Sequence, residues 1–99
     1  MLWLSSVVIL ATGCSVVLTE AGRRVALEKA DAPAGCIEIG SVSGDGSTGG
    51  VEGAESAKNQ MRNKAAVQHG TYVRLEQLDI QHGSAMGTAY RCDAKPPAP

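Results

Sequence analysis

The sequence predicts a small α+β domain of order ββαββ: a four-stranded, antiparallel-rich sheet with one helix packed on it. Three observations carry this reading. Four short stretches alternate apolar and polar residues with the period of two that marks half-buried strands. One stretch between the second and third of them switches to a helical period. Two cysteines, Cys36 and Cys92, stand at the start of the second strand and the end of the fourth, where a bridge would close the fold.

Composition bounds what such a domain can do. The chain has 99 residues and a formal net charge of -1, with both signs spread along it, so the basic footprint of a nucleic-acid binder is missing. Trp3, Tyr72 and Tyr90 are its aromatic residues, and glycine takes 12 positions, which leaves one modest core of Val, Ile, Leu, Met and Ala. A domain of that size ordinarily needs a staple.

The N-terminal element reads as a targeting segment. Leu2 opens an apolar run that ends in Ala11-Thr12-Gly13-Cys14, with small residues ahead of the cysteine, which resembles a bacterial lipobox. On this reading residues 1–13 are a lipoprotein signal peptide, Cys14 is lipidated, and residues 14–22 form a short tether. The rival reading is an uncleaved membrane helix over residues 1–19, which carry no charged side chain and match the roughly 20 residues a span requires. Ser5, Ser6, Thr12, Gly13 and Ser15 weaken that helix, and the positive flank that orients a span is missing.

With Cys14 lipidated, Cys36 and Cys92 remain, and an exported chain meets an oxidising compartment in which two leftover thiols pair. Two unpaired thiols in a reducing compartment are the alternative. The pairing places both cysteines at one end of the sheet, with α carbons roughly 4.4 to 6.8 Å apart.

The globular part is expected over residues 23–92, as two strand pairs around one helix. Residues 23–29 put Val25 and Leu27 on one face, and residues 36–43 do the same with Ile37 and Ile39. The intervening Asp31-Ala32-Pro33-Ala34-Gly35 is a turn by composition. Residues 44–53 hold five glycines and read as a flexible loop. Residues 54–69 are helical, with Ala54, Ala57, Met61, Ala65 and Gln68 along one stripe, and Gly70 sits where a left-handed stop belongs. In the strand at 71–80, Val73 and Leu75 are out of phase with Leu78 and Ile80, so a bulge is expected near Glu76 or Gln77. Gln81-His82-Gly83-Ser84 turns into a last strand at 85–92, where Met86, Thr88 and Tyr90 share a face, and residues 93–99, with three prolines, form a tail.

The segments Cys36-Ile37-Glu38-Ile39-Gly40-Ser41-Val42, Met61-Arg62-Asn63-Lys64-Ala65-Ala66, Gly70-Thr71-Tyr72-Val73-Arg74-Leu75 and Gly87-Thr88-Ala89-Tyr90-Arg91-Cys92 resemble, in that order, the bacterial lipoprotein family called domain of unknown function 4156. That family is similar in fold and cysteine placement to the outer-membrane lipoprotein that senses envelope stress for the Rcs phosphorelay. The resemblance implies a secreted, disulfide-closed, lipid-anchored domain on the periplasmic side of the outer membrane, with no reaction and no cofactor. Arg62, Asn63 and Tyr72 are polar residues of those motifs and form the candidate surface for an envelope protein partner, although local capping, pairing and packing are the expected roles of such side chains, which most often bond to nearby backbone.

Signals for chemistry are thin. Gly44-Asp45-Gly46-Ser47-Thr48-Gly49 matches G-x-G-x-x-G, but 99 residues do not build the doubly wound sheet that gives the motif its meaning. A metal site would have to come from His69, His82 or a free Cys92, and none has a second ligand at a familiar spacing. No catalytic residue is expected. A non-enzymatic envelope lipoprotein acting by contact is therefore the expected function, and a small periplasmic metal-binding protein or hydrolase is the alternative.

Overall fold

A computed structural model describes residues 16–92. The expectations for the signal segment, for Cys14 and for the tail lie outside the described residues. Within them no helix is long and apolar enough to cross a membrane. The elements are α1 (Glu20–Arg23), β1 (Ala26–Glu28), β2 (Ile37–Asp45), α2 (Gly50–Val67), β3 (Tyr72–Asp79) and β4 (Ser84–Arg91).

The strands form one mixed sheet of order β1-β3-β4-β2, parallel between β1 and β3 and antiparallel elsewhere, with α2 across one face. The α+β class and the single packed helix stand as expected, but the strand pairs differ. β3 and β4 form a hairpin, whereas β1 and β2 occupy opposite edges. Their connection is too long for a two-residue hairpin turn, and two side chains of β3 hold it. The Tyr72 hydroxyl donates to the carbonyl of Ala30 (2.6 Å), and the Arg74 guanidinium reaches Asp31 Oδ1 (3.1 Å).

The core lies between α2 and the sheet. Ala57, Met61 and Ala65 meet Val25, Val42, Val73, Ala85 and Ala89, with Leu27, Ile39, Leu75 and Leu78 packed around them. Ala54, Ala57, Met61 and Ala65 are the buried stripe as expected; Gln68 is exposed at the C-cap. Small residues on β4 let α2 approach closely, which is how a chain without phenylalanine fills its interior.

Four boundaries are corrected. α1 was not expected; Thr19 caps it, accepting a hydrogen bond from the Gly22 N–H (2.9 Å). β1 is three residues long because α1 and its C-cap Arg24 occupy the start of the expected strand; Arg62 of α2 donates to the carbonyls of Arg23 (3.2 Å) and Val25 (2.9 Å) there. The glycine-rich stretch is not a free loop: β2 runs through Asp45 and α2 starts at Gly50. The left-handed residue at the end of α2 is His69 (φ 67°), not Gly70. The N–H groups of His69 and Gly70 return to the carbonyls of Ala66 and Ala65, and a β carbon on Gly70 would come within 3.0 Å of the latter oxygen.

The bulge in β3 falls between Leu75 and Gln77, as the phase change predicts. A second, in β2 between Glu38 and Gly40, was not foreseen; Gly40 takes φ 154° there. Cys36 and Cys92 form the expected disulfide, one step beyond the Ile37–Arg91 pair, with α carbons 4.1 Å apart, slightly closer than the expected spacing.

Candidate functional site

α2 covers one face of the sheet, and the register fixes what the other presents. Tyr90 pairs with Tyr72, Thr88 with Arg74 and Ser41, Met86 with Gln77 and Ser43, and Ser84 with Asp79 and Asp45. These rows form the open face, since Val73 and Leu75 of β3 and Ala85 and Ala89 of β4 point into the core. At the hairpin end an open hollow of about 990 Å³ is lined by Ser43, Asp45, Gln77, Asp79, Ser84 and Met86, among others.

The best-organised polar group on this face centres on Arg74. Its guanidinium donates to Glu76 Oε2 (2.6 Å and 3.2 Å) and to Asp31, and Thr88 Oγ1 donates to the same Glu76 oxygen (2.7 Å). The Arg74 hydrogen bonds, then that of Thr88, hold the Glu76 carboxyl below its ordinary value of 4.5. Glu76 in turn raises the Arg74 guanidinium further above its already high range. Burial, then the carboxylates of Glu28 and Asp31, push the Tyr72 phenol up, and its ring lies edge-on to Tyr90 with centroids 6.2 Å apart.

A pH dependence follows with a definite sign. A carboxyl whose folded value is depressed contributes stability that is fully present above its unfolded value and is lost as pH falls through the folded one. Wild-type protein is therefore expected to lose thermal stability below pH 4.5 more steeply than Glu76→Gln. Unfolding midpoints followed by circular dichroism from neutral pH to about pH 3 check this; parallel curves would refute it.

Asp79 and His82 make the other close pair. Asp79 accepts from the His82 backbone N–H (3.2 Å) and its Oδ2 lies 2.7 Å from His82 Nδ1, which lowers the Asp79 carboxyl. The two sit three residues apart in the β3–β4 turn, with the histidine side chain 71% exposed. That is a solvated turn cap without the shelter a catalytic base requires. His69 ends α2 and Cys92 is in the disulfide, so the suggested metal ligands do not converge. Among the described residues no group of three or more His, Cys, Asp or Glu could hold a metal ion.

The G-x-G-x-x-G run does lie directly between a strand and a helix, closer than the sequence suggests, yet its glycines serve packing. A β carbon on Gly44 would lie 2.0 Å from the carbonyl oxygen of Ala57, one on Gly46 2.0 Å from that of Gly53, and one on Gly49 2.1 Å from that of Gln81. The N–H groups of Gly46 and Gly50 donate to the carbonyls of Gly83 and Ile80, both at 2.7 Å. Backbone thus fills the space that a phosphate would need.

The three residues of the candidate partner surface are not brought together. Arg62 is bound to Arg23 and Val25, as described. Asn63 accepts from the Thr19 N–H (2.9 Å) and donates to the Val17 carbonyl (2.9 Å), while Tyr72 is 8% exposed on the opposite side of the domain. All three side chains hold the fold together. The free edge of β2 is likewise partly covered, since Lys64 Nζ donates to the carbonyl of Ser43 (2.8 Å) and the Asp45 N–H donates to Gln60 Oε1 (3.0 Å).

Residues 16–19, expected as tether, are docked. The Val16 N–H donates to Ser56 Oγ (2.7 Å), and Asn59 Nδ2 donates to the Val16 carbonyl (3.0 Å). Ser56 is thereby the buried polar side chain of α2 that sequence reasoning missed. Asn59 was not singled out and Asn63 was read as candidate partner surface, because polarity off the apolar stripe marks an outer face but not what lies on it. No protein-family model, curated protein or solved structure matches this chain.

Proposed function

We propose that this chain is a non-enzymatic lipoprotein of the bacterial cell envelope, anchored through Cys14 on the periplasmic side of the outer membrane and acting by contact with a protein partner. The observation that supports it most is the Cys36–Cys92 disulfide. A bridge of that kind persists where thiols are oxidised, the compartment to which a signal ending in Ala11-Thr12-Gly13-Cys14 would deliver the chain. With no family model matching the chain, the reading rests on these residues themselves. Action by contact is favoured over catalysis because the polar clusters of the open face are solvated and tied to one another.

Intact-mass measurement of the protein from isolated membranes tests the anchor. The expected result is loss of residues 1–13 and acyl chains on Cys14, with a Cys14→Ser variant leaving the membrane fraction. Retention of residues 1–13 would sink the proposal. Turnover of any envelope substrate by the purified protein would overturn its non-enzymatic part.

A further inference from the structure

We infer that the outward side of α2 and residues 16–19 rest on the lipid surface, so that the open face of the sheet is turned away from the membrane. This deepens the lipoprotein reading and rests on it. The argument begins with where the folded chain starts. Asn59 and Asn63 follow the core residues Ala57 and Met61 by two positions each, about 200° around a helix, so they stand on the side of α2 opposite the sheet. Those two side chains bind the carbonyls of Val16 and Val17, and Ser56 takes the Val16 N–H. The chain entering the domain is thus fixed on the outward side of α2 from Val16 onward.

Cys14 precedes Val16 by two residues, and two residues of chain reach at most about 7 Å. An acyl group there starts within that distance of α2, and the freedom of a long tether, which would let the domain tumble above the bilayer, is missing. Exposed apolar side chains on this side suit a lipid surface. Val17 is 76% exposed, one residue beyond the docked Val16, and Val67, one turn after Asn63 on the same side of α2, is 79% exposed. With that side against headgroups, the hollow with Asp45, Asp79 and Ser84 and the Arg74 cluster face the aqueous compartment, where a soluble partner can reach them.

The chain provides a clean test. Its single tryptophan, Trp3, lies in the segment that lipoprotein processing removes, so one introduced tryptophan reports alone. Val17→Trp, Val67→Trp and Met86→Trp would each be made in the full lipidated protein and placed in phosphatidylethanolamine vesicles containing phosphatidylcholine brominated on its acyl chains. The expected result is a roughly twofold loss of emission at positions 17 and 67, with little change at 86, because a bromine quenches a ring seated at the acyl boundary. Quenching at 86 as strong as at 17, or no quenching in protein that floats with the vesicles, would overturn the orientation and leave the anchor standing. Failure to float, with an unmodified Cys14 by mass, would overturn both.

Discussion

Replacing Cys36 and Cys92 together by serine is expected to lower the stability of the domain by about 4 kcal/mol. The two residues are 56 apart in sequence and are joined directly across the β2–β4 ladder, so the bond closes a loop that contains β2, α2, β3 and β4. On the chain-entropy account a loop of this length removes about that much freedom from the unfolded chain. The loss is large because the core is small: Met61, Val25 and Val73 are the largest fully buried side chains. A domain of this size is expected to have a total stability near the low end of roughly 5–15 kcal/mol. Urea unfolding of the oxidised wild type against the double variant measures the difference. A gap below about 1 kcal/mol would show that the sheet holds without its staple.

Gly44→Val is expected to cost roughly 3 kcal/mol or more, while Val at the exposed neighbouring Ser43 changes stability by less than about 0.5 kcal/mol. The ideal β carbon at position 44 would stand 2.0 Å from the Ala57 carbonyl oxygen and 3.0 Å from its α carbon. Those are backbone atoms in the middle of α2, so no side-chain rotation relieves the overlap, and the helix must lift from β2. Lifting it opens the contacts of Ala57 and Met61 with Val42. Chemical denaturation of both variants decides the matter; a Gly44→Val protein as stable as the wild type would mean that the helix–strand gap can widen freely.

Position 44 also shows where the sequence was legible and where it was not. Five glycines among residues 44–53 read as a loop because backbone entropy was weighed alone. Contact with a second element overrode it, since glycine is what allows β2 and α2 to touch, and that contact lies outside any local window. The β3 bulge was legible because side-chain phase is local, and the disulfide because two leftover cysteines in an oxidising compartment have few options. The pairing of β1 was illegible for a different reason. Ala26 meets Tyr72 through a parallel register, and nothing around residue 26 distinguishes that partner from the nearer β2. For the candidate surface, sequence marked Arg62, Asn63 and Tyr72 as polar and notable, which they are. Local bonding was the expected role, but the partners Val25, Thr19 and Ala30 lie outside any local window.

The sheet order β1-β3-β4-β2 dictates when this chain can fold. β1 waits for residue 72 and beyond, β2 waits for residues 84 to 91, and the β3–β4 hairpin that both require is synthesised after the other described elements. The contacts that define the domain are therefore of long sequence separation, the topology associated with slow folding. A fragment ending at His69 is expected to show no β-sheet signal in circular dichroism, and a β-rich spectrum from it would contradict this order of events. A nascent chain of this topology stays open until its β3–β4 hairpin exists, so its strands remain unpaired for longer than those of a chain built on local pairings.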